Sequence, residues 1–176
     1  MLKSLLHFYL IMRHSLRSSP DEYSEKALYE LEEKIGFRFN NQALLVAAVT
    51  RRAYAKELRD RQPDIVRDDN ERLEFLGDGV LELAVRQSLY DKHDVQEGGL
   101  SKMADDLVCE SNLARVASDM ALERHLFLGG TEVSDEKGKP AILAGALEAI
   151  IGAVYLDQGF QETIEVVERL ILCREA

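Results

Sequence analysis

Four carboxylates carry the chemistry this chain could perform. Glu71, Glu74 and Asp78 lie in NERLEFLGDGVLELAV (70–85), and Glu148 lies in ILAGALEAIIGAVYLDQG (142–159). At about 100° per residue, Glu71, Glu74 and Asp78 fall within one narrow sector of a helix. Leu73, Leu76, Val80, Leu83 and Ala84 cover the opposite side, and Leu81 and Val85 continue the acidic side as apolar residues. That pattern predicts a buried helix. Glu148 is the only charge between Ala141 and Leu156. Buried carboxylates repel one another and either take up protons or meet a cation. Two such helices converging in a bundle core offer oxygen ligands to a hard divalent ion, and Mg²⁺ fits best. The chemistry that follows is hydrolysis of a phosphate ester, with the ion acidifying a water and neutralising the phosphoryl oxygens. A solvated acidic face is the competing explanation. Spacing alone stops at a metal-dependent helical phosphohydrolase.

The elements that position these residues read as helices throughout. SPDEYSEKALYELEEKIGF predicts a helix over roughly 20–35, ended by Gly36. NNQALLVAAVT (40–50) reads as a short apolar helix capped by Asn. The charged run from Arg51 to Asp69, broken by Pro63, reads as the longest loop. One long helix then runs from about Asn70 to Lys92. GGLSKMADDLVCESNLARVASDM predicts a helix capped by Ser101, bending near Glu110–Ser111 into a second one. Gly129–Gly130 and TEVSDEKGKP form a loop. PAILAGALEAIIGAVYLDQG opens with proline in its first turn, and FQETIEVVERLILC is a final amphipathic helix. There is no repeat and no credible sheet, so the fold class is all-α.

Bulk properties narrow the function. A chain of 176 residues with 46% hydrophobic content suits one helical domain with a full core. The net charge of −10 argues against gripping nucleic acid by charge alone, although bound cations can reverse the local potential. Cys109 and Cys173 are isolated, which excludes a disulfide framework and a CxxC zinc motif and suits a reducing, cytoplasmic setting. The most apolar run, Ala141 to Leu156, falls short of the ~20 residues that cross a membrane and contains Glu148. His7, His14, His93 and His125 have no partners at ligand or triad spacing and read as surface residues. Residues 1–20 are basic and read as a flexible N-terminal extension, with Met12 an alternative start and a targeting peptide the other reading.

The letters go further than the spacing. NERLEFLGDGVLELAV closely resembles the signature of the ribonuclease III family, usually NERLEFLGDAVL. The resemblance continues through TRRAYA (50–55), LSKMADDLV (100–108), LFLGGTE (126–132) and ILAGALEAIIGAVYLDQGF (142–160). It covers about residues 21–173. It implies an all-α endonuclease domain over 21–176, a helical bundle that forms a homodimer, without a double-stranded-RNA-binding domain. It also implies cleavage of double-stranded RNA with Mg²⁺, or Mn²⁺ in its place, in RNA and rRNA processing, and no small-molecule cofactor. Glu74, Asp78 and Glu148 match metal ligands of the family. Glu71 matches a signature acid placed at the cleft, and Phe75 an aromatic of the dimer contact; a core role for Phe75 is the alternative. Lys102 matches a position often basic in the family, and Arg51 and Arg52 provide charge for a phosphate backbone, with a solvated loop as the alternative for the two arginines.

Two departures stand out. The family usually reads ILAD, with an Asp one turn ahead of the last Glu, where this chain has Gly145. Water then completes the site, or the chain is a non-cleaving binding or assembly module of the same fold, or Asp105 or Asp106 substitutes. The second departure is TRRAYA in place of the more usual THRSYA, which puts Arg51 where the family has His. A third function class, an all-α nucleotide pyrophosphatase with ExxE helices, is opposed by the signature match.

Overall fold

A computed structural model of the chain describes residues 25–64 and 68–173. The expected extension over 1–20 and the start of the first helix lie outside the described residues. Helix α1 (Glu25–Ile35) buries Leu28, Leu31 and Ile35, which recur at helical spacing. Helix α2 (Gln42–Ala48) is capped as expected, the Asn41 side chain accepting the Ala43 N–H at 3.2 Å.

The charged segment expected as a loop contains helix α3 (Arg52–Arg61). It is polar nearly all round and buries only Ala55, so no apolar stripe advertised it. Tertiary contacts hold it: the Tyr54 ring packs 5.2 Å from that of Phe127. Helix α4 (Glu71–Lys92) follows, with the expected bounds.

Helix α5 (Glu97–Val108) starts a turn earlier than Ser101, whose hydroxyl donates to Glu97 Oε1 at 2.9 Å inside the helix instead of capping it. The chain breaks at Cys109, whose extended backbone separates α5 from α6 (Glu110–Asp119). The Asn112 amide donates to the Leu107 carbonyl at 2.7 Å, satisfying one acceptor at the end of α5. After a 3₁₀ turn at Leu122–Arg124 and a loop comes α7 (Lys139–Gln158), with proline in its first turn. Helix α8 (Phe160–Val167) widens into a π-helical turn at Glu168–Leu172, so the last helix is not a single regular one.

Helix α7 is the centre of the molecule, packing on α2, α4, α6 and α8. Leu147, Ile150, Ile151 and Val154 are fully buried. Its length and apolarity would suffice to cross a membrane, contrary to the expectation, but 67% of its most apolar window is packed inside this protein. That makes it a core helix with apolar residues all round. His125 is also a correction: it is buried, and burial lowers its pKa. The apolar segments Leu122 and Leu126–Leu128 carry it into the core with them.

Candidate active site

The backbones of α4 and α7 touch. A Cβ on Gly77 would lie 1.8 Å from the Glu148 carbonyl oxygen, and one on Gly152 would lie 2.3 Å from the Leu73 carbonyl oxygen. Only glycine permits that approach. Glu74 sits one turn before Gly77 on α4, and Glu148 is the residue whose carbonyl faces Gly77, so the close approach brings the two acids within electrostatic reach of each other.

Glu148 is half-buried, and its carboxyl pKa is pushed up to about 7. Burial is the largest cause, followed by the negative charges of Asp78, Glu74 and Glu110. Glu110, the first residue of α6, was invisible to sequence spacing because only the packing of α6 on α7 brings it near. Asp105 and Asp106 do not join this group. Both are exposed on α5, and Asp105 lies 3.9 Å from Arg86.

Asp78 and Glu71 are exposed, which corrects the expectation of a wholly buried acidic face. The acidic sector lies at the open end of the helix, and Leu81 and Val85 take the same sector into the core.

Glu74 has a different environment. Its carboxylate rests over the Cα of Gly145, where a Cβ would come within 2.7 Å of Glu74 Cδ and Oε1. Arg51 Nη1 donates to Glu74 Oε2 at 3.3 Å, while Arg51 Nε donates to Glu132 Oε1 at 3.2 Å. Arg51 is thus no solvated loop residue: its side chain is 21% exposed, against 18% for Glu132 and 35% for Glu74. Its backbone is fixed by an isolated parallel bridge between Thr50 and Phe127, with Arg51 N–H on the Phe127 carbonyl at 3.0 Å. Glu132 is anchored too, its second oxygen accepting the Gly129 N–H at 3.0 Å. The sequence motif LFLGGTE contained Glu132, but nothing in its spacing disclosed the partner in TRRAYA.

Arg52 turns outward and donates to both oxygens of Glu71, at 3.1 and 2.9 Å, on the surface. Lys102 is exposed on α5 and takes no part in the ion pairs around Glu74. Phe75 is 85% exposed, which rules out the core role. It stands in an open groove with an apolar side formed by Leu44, Ala47, Leu73, Leu76 and Leu156 and a charged side that includes Arg59, Asp69 and Arg72.

No group of His, Cys, Asp and Glu side chains among the described residues is already gathered as a metal site. The donor chemistry nevertheless fits a hard cation. The Glu148 carboxyl is raised to about 7 first by burial and then by the negative charges of Asp78, Glu74 and Glu110, and a cation would offset those charges. Glu74 must swing away from Arg51 to join such a site.

Fold and site together define an all-α domain whose two central helices present carboxylates beside a glycine seam. The ribonuclease-III-like family model matches residues 41–174, and the chain belongs to that family. Ribonuclease 3 of Geobacillus kaustophilus is 44% identical over 142 residues, covering 80% of this chain and 56% of the relative. Ribonuclease 3 of Bacillus cereus is 40% identical over 148 residues, covering 83% and 59%. The chain therefore spans somewhat more than half the length of these relatives. A solved nuclease domain of ribonuclease III from Campylobacter jejuni, described as having a flexible region involved in dimer formation, superposes with a TM-score of 0.71 at 36% identity. That match covers 83% of this chain and 96% of the solved one.

Proposed function

We propose that this chain is a Mg²⁺-dependent endoribonuclease that hydrolyses phosphodiester bonds in double-stranded RNA. The observation that carries the reading is the half-buried Glu148, its carboxyl raised to about 7 beside Asp78 and Glu74 on the family's signature helix. Glu148 and Asp78 are the residues that would hold the ion, with Glu74 as the third ligand once it leaves Arg51. Mg²⁺, where bound, supplies charge neutralisation at the phosphate and a water acidic enough to attack near neutral pH. Glu148 must shed its proton to serve as a ligand, so metal binding should strengthen as pH rises through about 7.

Around this centre the exposed cations Arg52 and Lys102 would take phosphates, while Glu71 stands at the cleft and orients Arg52. A chain of net charge −10 should bind RNA weakly and lose it steeply with salt. Recognition by A-form shape should favour duplex RNA over duplex DNA. The exposed Phe75 and its groove fit a two-fold homodimer contact, in which each copy presents the same patch. Sedimentation of the protein at micromolar concentration checks this: Phe75→Glu should shift a dimer to monomer, and a monomeric wild type would end the dimer reading. The free, exposed Cys109 and Cys173 suit a reducing, cytoplasmic setting.

The decisive experiment incubates the purified chain with a perfect RNA duplex and Mg²⁺. Short duplex products ending in 5′-phosphate are expected. Intact RNA in the presence of protein that binds both Mg²⁺ and duplex would favour the non-cleaving module of the same fold, for which the missing carboxylate at Gly145 is the supporting observation.

A further inference from the structure

Arg51 and Gly145, two of the positions at which the sequence departs from the usual family letters, both touch the Glu74 carboxylate. They lie on different elements, the loop before α3 and α7, and the fold brings both to one side chain. Gly145 opens the space and Arg51 supplies the charge. With any larger residue at 145, the carboxylate could not rest where it does, since even a Cβ would stand 2.7 Å from its carbon. Arg51 is in turn shared with Glu132, which is fixed through the Gly129 N–H.

We propose that Arg51 is a built-in counter-ion that parks Glu74 over Gly145, so that a divalent cation gains this ligand only in competition with the guanidinium. Arg51 is a positioning residue in this scheme, acting on the site through Glu74. The inference rests on the reading of Glu74, Asp78 and Glu148 as metal ligands. It adds that metal affinity in this chain is set by an arginine and a glycine outside that ligand set. Glu132 modulates the competition by drawing on the same guanidinium.

The test is calorimetric titration of Mg²⁺, and of Mn²⁺ as a second probe, into the metal-free full chain and its variants. Arg51→Gln frees Glu74 and should tighten binding by roughly two- to fivefold, the worth of one partly exposed ion pair. Glu132→Gln leaves Arg51 to Glu74 alone and should weaken binding, an effect of opposite sign that a general loss of structure would not produce. Gly145→Ala evicts the carboxylate from its resting place, so adding Arg51→Gln to it should change affinity by less than the product of the single effects. Unchanged or weaker binding in Arg51→Gln overturns the proposal, as does tighter binding in Glu132→Gln or strictly multiplicative effects in the double variant. If Arg51→Gln does not fold, the Glu132→Gln and Gly145→Ala titrations decide on the same criteria, Gly145→Ala being expected to tighten binding. Glu148→Gln serves as the control on the underlying reading. If it binds metal as wild type does, the ligand assignment itself fails, whatever Arg51 does.

Discussion

Gly77 and Gly145 face each other's helices across the same α4–α7 contact, yet their surroundings are opposite in kind. Gly77 meets the backbone of α7, with the Glu148 carbonyl oxygen 1.8 Å from where its Cβ would be. Gly145 meets the far end of one side chain, the carboxylate of Glu74. A backbone carbonyl in the middle of a core helix cannot move without moving the helix. A carboxylate at the end of a glutamate can rotate away at the cost of one ion pair. The first glycine therefore fixes the fold, and the second tunes the site that the fold presents.

That contrast predicts its largest effect at Gly77. Gly77→Ala should destabilise the domain by about 3 kcal/mol or more, since overpacking here separates two core helices. Chemical denaturation measures this directly, with Gly145→Ala as the paired control expected to cost far less. Comparable losses for the two variants would break the comparison. Gly79, also on α4, has open space where its Cβ would be, and its substitution by Ala should leave stability unchanged or improve it.

The next effect falls on chemistry. Glu148→Gln is nearly isosteric and removes a charge the metal site needs, so duplex-RNA cleavage should drop by at least about 100-fold. The circular dichroism spectrum should stay that of a folded helical protein. Loss of cleavage together with loss of the fold would show that Glu148 holds the α4–α7 seam itself, and the division between the two regions would go.

A pH titration sharpens the same point without mutating the fold. The Glu148 carboxyl titrates near 7 in the folded chain, against an ordinary value of 4.5. Its folded-state pKa is raised, so the folded state binds the proton more tightly than the unfolded one between those values. The stabilisation is complete below about 4.5 and is lost as pH rises through about 7. Thermal melts in chelator should thus show stability falling over that window, and Glu148→Gln should flatten the slope. A slope that survives the substitution would assign the effect to another group.

How far the sequence disclosed all this follows the same division. The seam helices were legible because each is a long, largely apolar run broken by few acids, and Glu74, Asp78 and Glu148 stood out against Leu, Ile and Ala. Helix α3 was not legible, because it buries one alanine and takes its stability from contacts made elsewhere in the chain. The link from Arg51 to Glu74 and Glu132 joins three separate segments, so no local pattern could encode it. Glu110 was hidden for the same reason. Gly145 was visible as a missing carboxylate, but sequence alone could not show that Glu74 had moved into the space. This bears on Gly145→Asp: a new carboxylate there must first displace Glu74, and Ala displaces it too, so Ala is not an inert control.

The smallest expected effect separates the two adjacent arginines. Arg51 lies largely inside, bridging two acids, whereas Arg52 is 69% exposed and paired with Glu71, itself 50% exposed. An exposed pair contributes little to stability because water and salt already screen it. Arg52→Ala should therefore melt with wild type and leave Mg²⁺ affinity unaltered. Its role, if it takes an RNA phosphate, is to release a counterion when the complex forms. Removing it should weaken duplex-RNA binding at low salt and reduce the slope of log affinity against log salt by about one. Binding of a Mg²⁺-free duplex complex across a range of KCl concentrations measures that slope. If the slope and the low-salt affinity both match wild type, Arg52 touches no phosphate.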